Sequence, residues 1–291
     1  MGKLGYDIQF LWLYLNQCNL NCSYCSNYFL SKEFNKIPPI DIERLIKSFD
    51  SSGKRVQVIF TGGEPLFIPN FIEACKEITK NHRVMVISNF TSDKLKEFAE
   101  KIDPSRACFL SSLHIKELET KNLVGRYIEN YYFCREKGFN ISIEEVAYPG
   151  LSGKAREYKK FFNSKGINFK YVPYYGFYNE GKYPDDYSGE EIDEFGLLKA
   201  DLDRYNRKPG YCNAGFNNFV AMPGGDIFSC FRLMRPCGNI YNGIPDPKKM
   251  LKCNHSFCEC CLSKTDEPLF HEALLKNKIK KHLGVRLLDP V

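Results

Sequence analysis

Short apolar runs alternate with longer stretches whose apolar positions recur at helical spacing. The runs at 8–15, 55–60, 82–89, 107–114, 140–147 and 168–173 have the length and position of buried strands. Helical patterns fall between them at 40–49, 71–80, 93–101, 121–137 and 153–163. Six such units predict an α/β chain of repeated β/α elements. From 174 to 208 the rhythm stops. Tyr, Asp, Glu and Gly dominate, Pro184 and Pro209 punctuate, and one short helix over 188–205 is predicted. Beyond it, apolar arms at 218–222 and 227–230 flank Pro223-Gly224-Gly225-Asp226, which predicts a hairpin.

Two loops at predicted strand ends carry chemistry. After the first strand comes Cys18-Asn-Leu-Asn-Cys22-Ser-Tyr-Cys25. Three thiolates so spaced can hold three irons of a cubane cluster and leave the fourth without a protein ligand. A fragment of a zinc site is the other reading, and zinc closes a structural site with four ligands. The position favours the cluster, because barrel-type folds place their sites at the C-terminal ends of strands. After the second strand comes Thr61-Gly62-Gly63-Glu64-Pro65. Its glycines admit a ligand close to the main chain, and Glu64 can accept from an ammonium. A plain strand-to-helix turn is the alternative there.

The pair of loops resembles the CxxxCxxC and GGEP motifs of the radical S-adenosylmethionine (SAM) enzymes. The resemblance implies an open, partial (β/α)6 barrel, a [4Fe–4S] cluster on Cys18, Cys22 and Cys25, and SAM chelated to the open iron. It implies that Gly62, Gly63 and Glu64 receive the SAM amino group, and that Tyr24 touches adenine. Asn89 and Ser112 match positions that bind ribose or carboxylate, and Arg126 is a looser match for the carboxylate. A strand cap, a core aromatic and a solvated helix charge are the competing readings of these last four residues. Glu144 and Glu145 end the fifth strand, and alternation sends one of them inward as a base or substrate hydrogen-bonder.

Seven of the thirteen cysteines fall between Cys212 and Cys261. Cys212, Gly225 and Cys230 resemble the opening of the SPASM and Twitch extensions of the same superfamily, with the hairpin bringing the two cysteines together. Cys253-Asn-His-Ser-Phe-Cys258-Glu-Cys260-Cys261 is more compressed than a full SPASM pattern, and no cysteine follows Cys261. The resemblance therefore implies one auxiliary [4Fe–4S] cluster. The spacing is similar to that of an aminocyclitol dehydrogenase of the superfamily, which assigns Cys212, Cys230, Cys258 and Cys261 as ligands, with Cys253 or Cys260 as substitutes for one of the last two. Four thiolates suit a zinc ribbon equally well. Cys75, Cys108 and Cys134 read as core residues, and Cys237 as a structural thiol or a hydrogen-atom donor. The expected organisation is a barrel over 1–180, a linker over 181–208, and a Twitch/SPASM-like domain over 209–291 ending in a C-terminal helix.

Thirteen cysteines without a signal-peptide pattern point to a reducing cytoplasm and to metal chemistry. No apolar stretch reaches membrane-spanning length, so no membrane is expected. Forty-one basic against 35 acidic residues leave a net charge of +6, too mild and scattered to argue for nucleic acid. A basic surface does suit an acidic electron donor such as ferredoxin or flavodoxin. Seventeen residues precede Cys18, short of the peptide-recognition domain of peptide-modifying members. That favours net oxidation of a small polar substrate (a sugar, aminocyclitol or nucleotide derivative). Modification of a ribosomal peptide and a non-enzymatic metal-binding module are the rival expectations.

Overall fold

The structure, a computed structural model, describes residues 6–14, 17–25, 38–203, 210–231, 233–246 and 249–254. Six β/α units appear in the predicted order. The strands are β1 (Ile8–Tyr14), β2 (Val56–Gly62), β3 (Arg83–Ser88), β4 (Ala107–Ser112), β5 (Asn140–Ala147) and β6 (Lys170–Pro173). Each pairs in parallel with the next. The helices are α1 (Ile42–Ser51), α2 (Phe71–Asn81), α3 (Lys94–Lys101), α4 (Ile115–Thr120), α5 (Val124–Glu136) and α6 (Ala155–Ser164).

Alternation along the strands explains the layering. Phe10, Trp12, Val58, Phe60, Val86 and Phe109 lie on one face and form a single core with buried helical residues such as Leu45, Phe49, Ala74 and Phe98. The other face carries Leu11, Ile59, Met85 and Ile87, and it packs against Val220 and Cys230. The result is a mixed α/β fold with a parallel sheet, consistent with an open, partial barrel.

Three expectations change in detail. The helix expected over 121–137 is α5, and α4 precedes it as a separate helix. Six residues are too few to show a 3.6-residue period in sequence. Where a single helix was expected over 188–205, the described residues form two, α7 (Gly189–Phe195) and α8 (Lys199–Leu202), and 204–205 lie outside the described residues. Gly196, at φ 65°, ends α7 in the left-handed conformation that glycine takes without steric cost. A small hairpin of β7 (Gly176–Tyr178) and β8 (Gly181–Tyr183), not expected from sequence, spans the expected boundary between barrel and linker.

Beyond β9 (Gly210–Cys212), the expected hairpin forms from β10 (Asn218–Ala221) and β11 (Asp226–Phe228), and β12 (Pro236–Asn239) extends it. These strands are continuous with the sheet, whose order is β12-β11-β10-β1-β2-β3-β4-β5-β6. β10 runs parallel to β1, with Leu11 opposite Val220, and Trp12 Nε1 donates to the Met222 carbonyl at 2.8 Å. Strand β13 (Leu251–Cys253) pairs antiparallel with β9. Cys258, Cys260, Cys261 and the expected C-terminal helix lie outside the described residues.

Candidate active site

The cysteine loop follows β1 at its C-terminal end, as expected. Cys18 and Cys25 are exposed and Cys22 is half-buried. A turn closes the last two, with Cys25 N donating to the Cys22 carbonyl at 3.1 Å. The Gly62-Gly63-Glu64 loop leaves the end of neighbouring β2, and Gly62 takes φ 133°, where a side chain would strain the backbone. One bond stitches the two loops together: Glu64 N donates to the Gln17 carbonyl at 2.9 Å.

Glu64 is buried, and its carboxylate faces the end of β3. It accepts from Ser88 Oγ and from Asn89 N, each at 2.9 Å, and from Leu66 N at 3.4 Å. Loss of solvent pushes its carboxyl up to about 7, against the pull of these donors. Asn89 is also buried. Its Nδ2 donates to Asn19 Oδ1 at 2.9 Å and lies 3.6 Å from Cys18 Sγ, while its Oδ1 accepts from Thr91 N at 3.0 Å. The Glu64 side chain therefore braces the Gly-Gly loop against the end of β3, and the Asn89 side chain braces the cysteine loop there.

Sequence reasoning missed the grip from α4. Glu117 Oε2 accepts from Asn21 N at 2.7 Å, and Lys121 Nζ donates to the Asn19 carbonyl at 2.6 Å. No local signal pointed to it, since Glu117 falls between the strand expected over 107–114 and the helix expected over 121–137. Tyr24 is half-buried, its ring 4.9 Å from that of Tyr148 and 5.7 Å from that of His114. Arg126 pairs with Asp93 at 3.3 Å, and both side chains are exposed.

The two glutamates of β5 part as alternation requires. Glu145 is buried towards the helical layer. Glu144 lies on the opposite face, level with Ser112 of β4 and Lys170 of β6, and its Oε1 is 2.9 Å from Lys170 Nζ. That row stands one residue above the aligned Ser88, Ser111 and Ile143, at the height where Asn89 follows β3. Ser112, Glu144 and Lys170 thus form a polar row on the face that also carries Leu110, Val146 and Val172.

The chemistry of the three thiols suits an iron–sulfur cluster. Leu20 N lies 3.4 Å from Cys18 Sγ, so two N–H groups, with Asn89 Nδ2, point at one sulfur. Burial pushes the Cys18 and Cys22 thiols up, and their neighbouring thiols and carboxylates push the same way. Bare thiolates are costly here, and a cationic metal core removes that cost. Among the described residues, no three Cys, His, Asp or Glu side chains close round one ion-sized point. The ligands of a cubane stand further apart than those of a single ion.

Residues 12–161 match the family described as the Radical SAM superfamily. The chain belongs to the radical SAM superfamily. Its members use a [4Fe–4S] cluster and SAM, which is the chemistry the cysteine and Gly-Gly loops were expected to serve. The fold is similar to Streptococcus suis SuiB bound to S-adenosylmethionine, at 16% identity and TM-score 0.53, over 81% of this chain and 64% of that one. The chain thus spans less than two thirds of SuiB. It is similar to native anSMEcpe with bound AdoMet at 17% identity and TM-score 0.58, over 80% of this chain and 78% of that one. It is also similar to SuiB bound to precursor peptide SuiA, at 15% identity and TM-score 0.51, over 92% of this chain and 66% of that one. No described helix of this radical SAM protein is long and apolar enough to cross a membrane.

Proposed function

We propose that this chain is a radical SAM oxidoreductase that oxidises a small polar substrate such as a sugar, aminocyclitol or nucleotide derivative. Bound together, the cluster and SAM supply a 5′-deoxyadenosyl radical that takes a hydrogen atom from an unactivated carbon. The protein's part is to position and to exclude water. Cys18, Cys22 and Cys25 hold the cluster. The main chain of Gly62 and Gly63 receives the SAM ammonium, and Glu64, engaged behind it, sets that loop's course. Tyr24 offers its ring to adenine, and Asn89 and Ser112 serve the ribose or carboxylate. Glu144, on the face with Ser112, hydrogen-bonds substrate or accepts its proton. The radical SAM part of this reading is carried by the joining of the two motif loops, directly by Glu64 N to Gln17 O and through Asn89, which donates to Glu64 and lies beside Cys18.

An auxiliary [4Fe–4S] cluster on Cys212, Cys230, Cys258 and Cys261 would accept the substrate's second electron. Support comes from the first two, which pack in one cluster with Leu11 and Ile59. Ala214 N lies 3.4 Å from Cys212 Sγ and Leu233 N 3.2 Å from Cys230 Sγ, matching the N–H···S contacts at Cys18. Cys253 is a competing ligand. It stands opposite Gly210 while Leu251 stands opposite Cys212, so Cys253 and Cys212 share one face of the β9–β13 ribbon. Ferredoxin or flavodoxin fits as the electron donor.

Anaerobic incubation with SAM and dithionite tests the proposal. The wild type is expected to form 5′-deoxyadenosine and Cys22→Ala none; no product from the wild type would refute it. Metal analysis is expected to give about eight irons per chain, from two four-iron clusters, and zinc in their place would favour a non-enzymatic metal-binding module. Oxidative or epimerising modification of a ribosomal peptide is a second reading. It is favoured by the similarity in fold to a protein bound to a precursor peptide. Stimulation of SAM cleavage by a polyol or by a peptide separates the two.

A further inference from the structure

The three thiols are gripped unevenly. Before Cys22 the loop is held twice, by Asn89 and Thr91 at Asn19 and by Glu117 and Lys121 at Asn21 and Asn19. Between Cys22 and Cys25, among the described residues, the side-chain hold is Tyr24 alone. Its phenol lies 3.2 Å from Glu145 Oε1 and 3.0 Å from His114 Nδ1. A phenol has one proton to give. When it donates to Glu145, His114 must present Nδ1–H to the phenol oxygen, which a neutral imidazole can do. Burial keeps that ring neutral by lowering its pKa to about 4.

Glu145 ties three segments together. Oε1 accepts from Tyr24 and from Val146 N at 3.0 Å, and Oε2 accepts from Ile115 N, the first residue of α4, at 2.7 Å. His114 holds a left-handed backbone at φ 48° between β4 and α4. A residue with a Cβ stays in that conformation when its surroundings over-determine it. We infer that Glu145, with His114, is a positioning residue: through the Tyr24 hydroxyl it fixes the Cys22–Cys25 span against the ends of β4 and β5. This rests on the reading of that loop as a cluster site. It gives Glu145 a task apart from substrate, which Glu144 faces.

Tyr24→Phe is the direct test, since it removes the hydroxyl and keeps the ring. Anaerobically reconstituted Tyr24→Phe should lose iron to a ferrous chelator about tenfold faster than wild type, the usual scale for losing a hydrogen bond behind a metal ligand. The thermal midpoint of its iron-free form should match wild type. Tyr158→Phe, which breaks an exposed bond to Glu119, should lose iron at the wild-type rate. Glu145→Gln keeps an oxygen for the phenol and should fall between. Equal iron retention in Tyr24→Phe and wild type overturns the inference alone. So does iron loss that merely follows a lowered midpoint. A wild type that takes up no cluster overturns the cluster reading as well.

Discussion

Glu64 is 1% exposed, so its hydrogen bonds must do what water would. An amide in its place must turn an NH₂ towards the N–H of Asn89 or of Leu66. Glu64→Gln is therefore expected to destabilise the protein by about 1–3 kcal/mol, the scale for a buried donor left unpaired. Urea unfolding at pH 8 measures it. His82 supplies a pH-dependent case away from the cysteines. Its Nδ1 lies 3.3 Å from Val56 N and its Nε2 3.2 Å from Asp50, and burial lowers its pKa despite the carboxylate. Folding favours the neutral ring, so this stability is present above the ordinary value of 6.5 and is lost as pH falls through the folded pKa. Unfolding midpoints should drop more steeply between pH 7.5 and 5.5 in wild type than in His82→Asn.

Strand ends do the assembling, and that decides what sequence discloses. β1 to β6 were legible because each apolar run alternates between a helical core and an opposite face. The Gly-Gly turn was legible because two glycines at a strand end have a steric meaning. The grip on the cysteine loop was not legible. Glu117, Lys121 and His114 reach it across 90 or more residues, and nothing in their local pattern distinguishes them from exposed helix charges or a strand cap. The direction of Glu64 was hidden for the same reason, since its partners belong to the next strand. At the hairpin, Gly225 has φ 88°, and a Cβ there would stand 2.7 Å from the Tyr241 ring. Gly225→Ala is thus expected to cost at least about 1 kcal/mol in thermal or urea unfolding. On the proposed ligand set, it should also lower auxiliary iron while sparing that held by Cys18, Cys22 and Cys25.

Across the whole molecule, the hairpin strands and the barrel strands form one sheet, so the two are expected to unfold in one cooperative step. The chain's single tryptophan reports on this directly. Trp12 is fully buried and bonded to Met222, 210 residues away. Its fluorescence should follow the same urea curve as circular dichroism; an earlier tryptophan transition would mean that the hairpin detaches by itself. Glu144→Gln, by contrast, should leave that curve in place and reduce substrate-stimulated formation of 5′-deoxyadenosine. Pairing β1 with β10 has a further consequence for synthesis. As the nascent chain leaves the ribosome, β1 finds β2 early, yet its other edge stays open until residues 218–221 emerge. Throughout that interval the cell must keep a bare apolar strand from pairing with strangers. Chaperone demand should therefore persist through most of translation and end abruptly when the hairpin arrives.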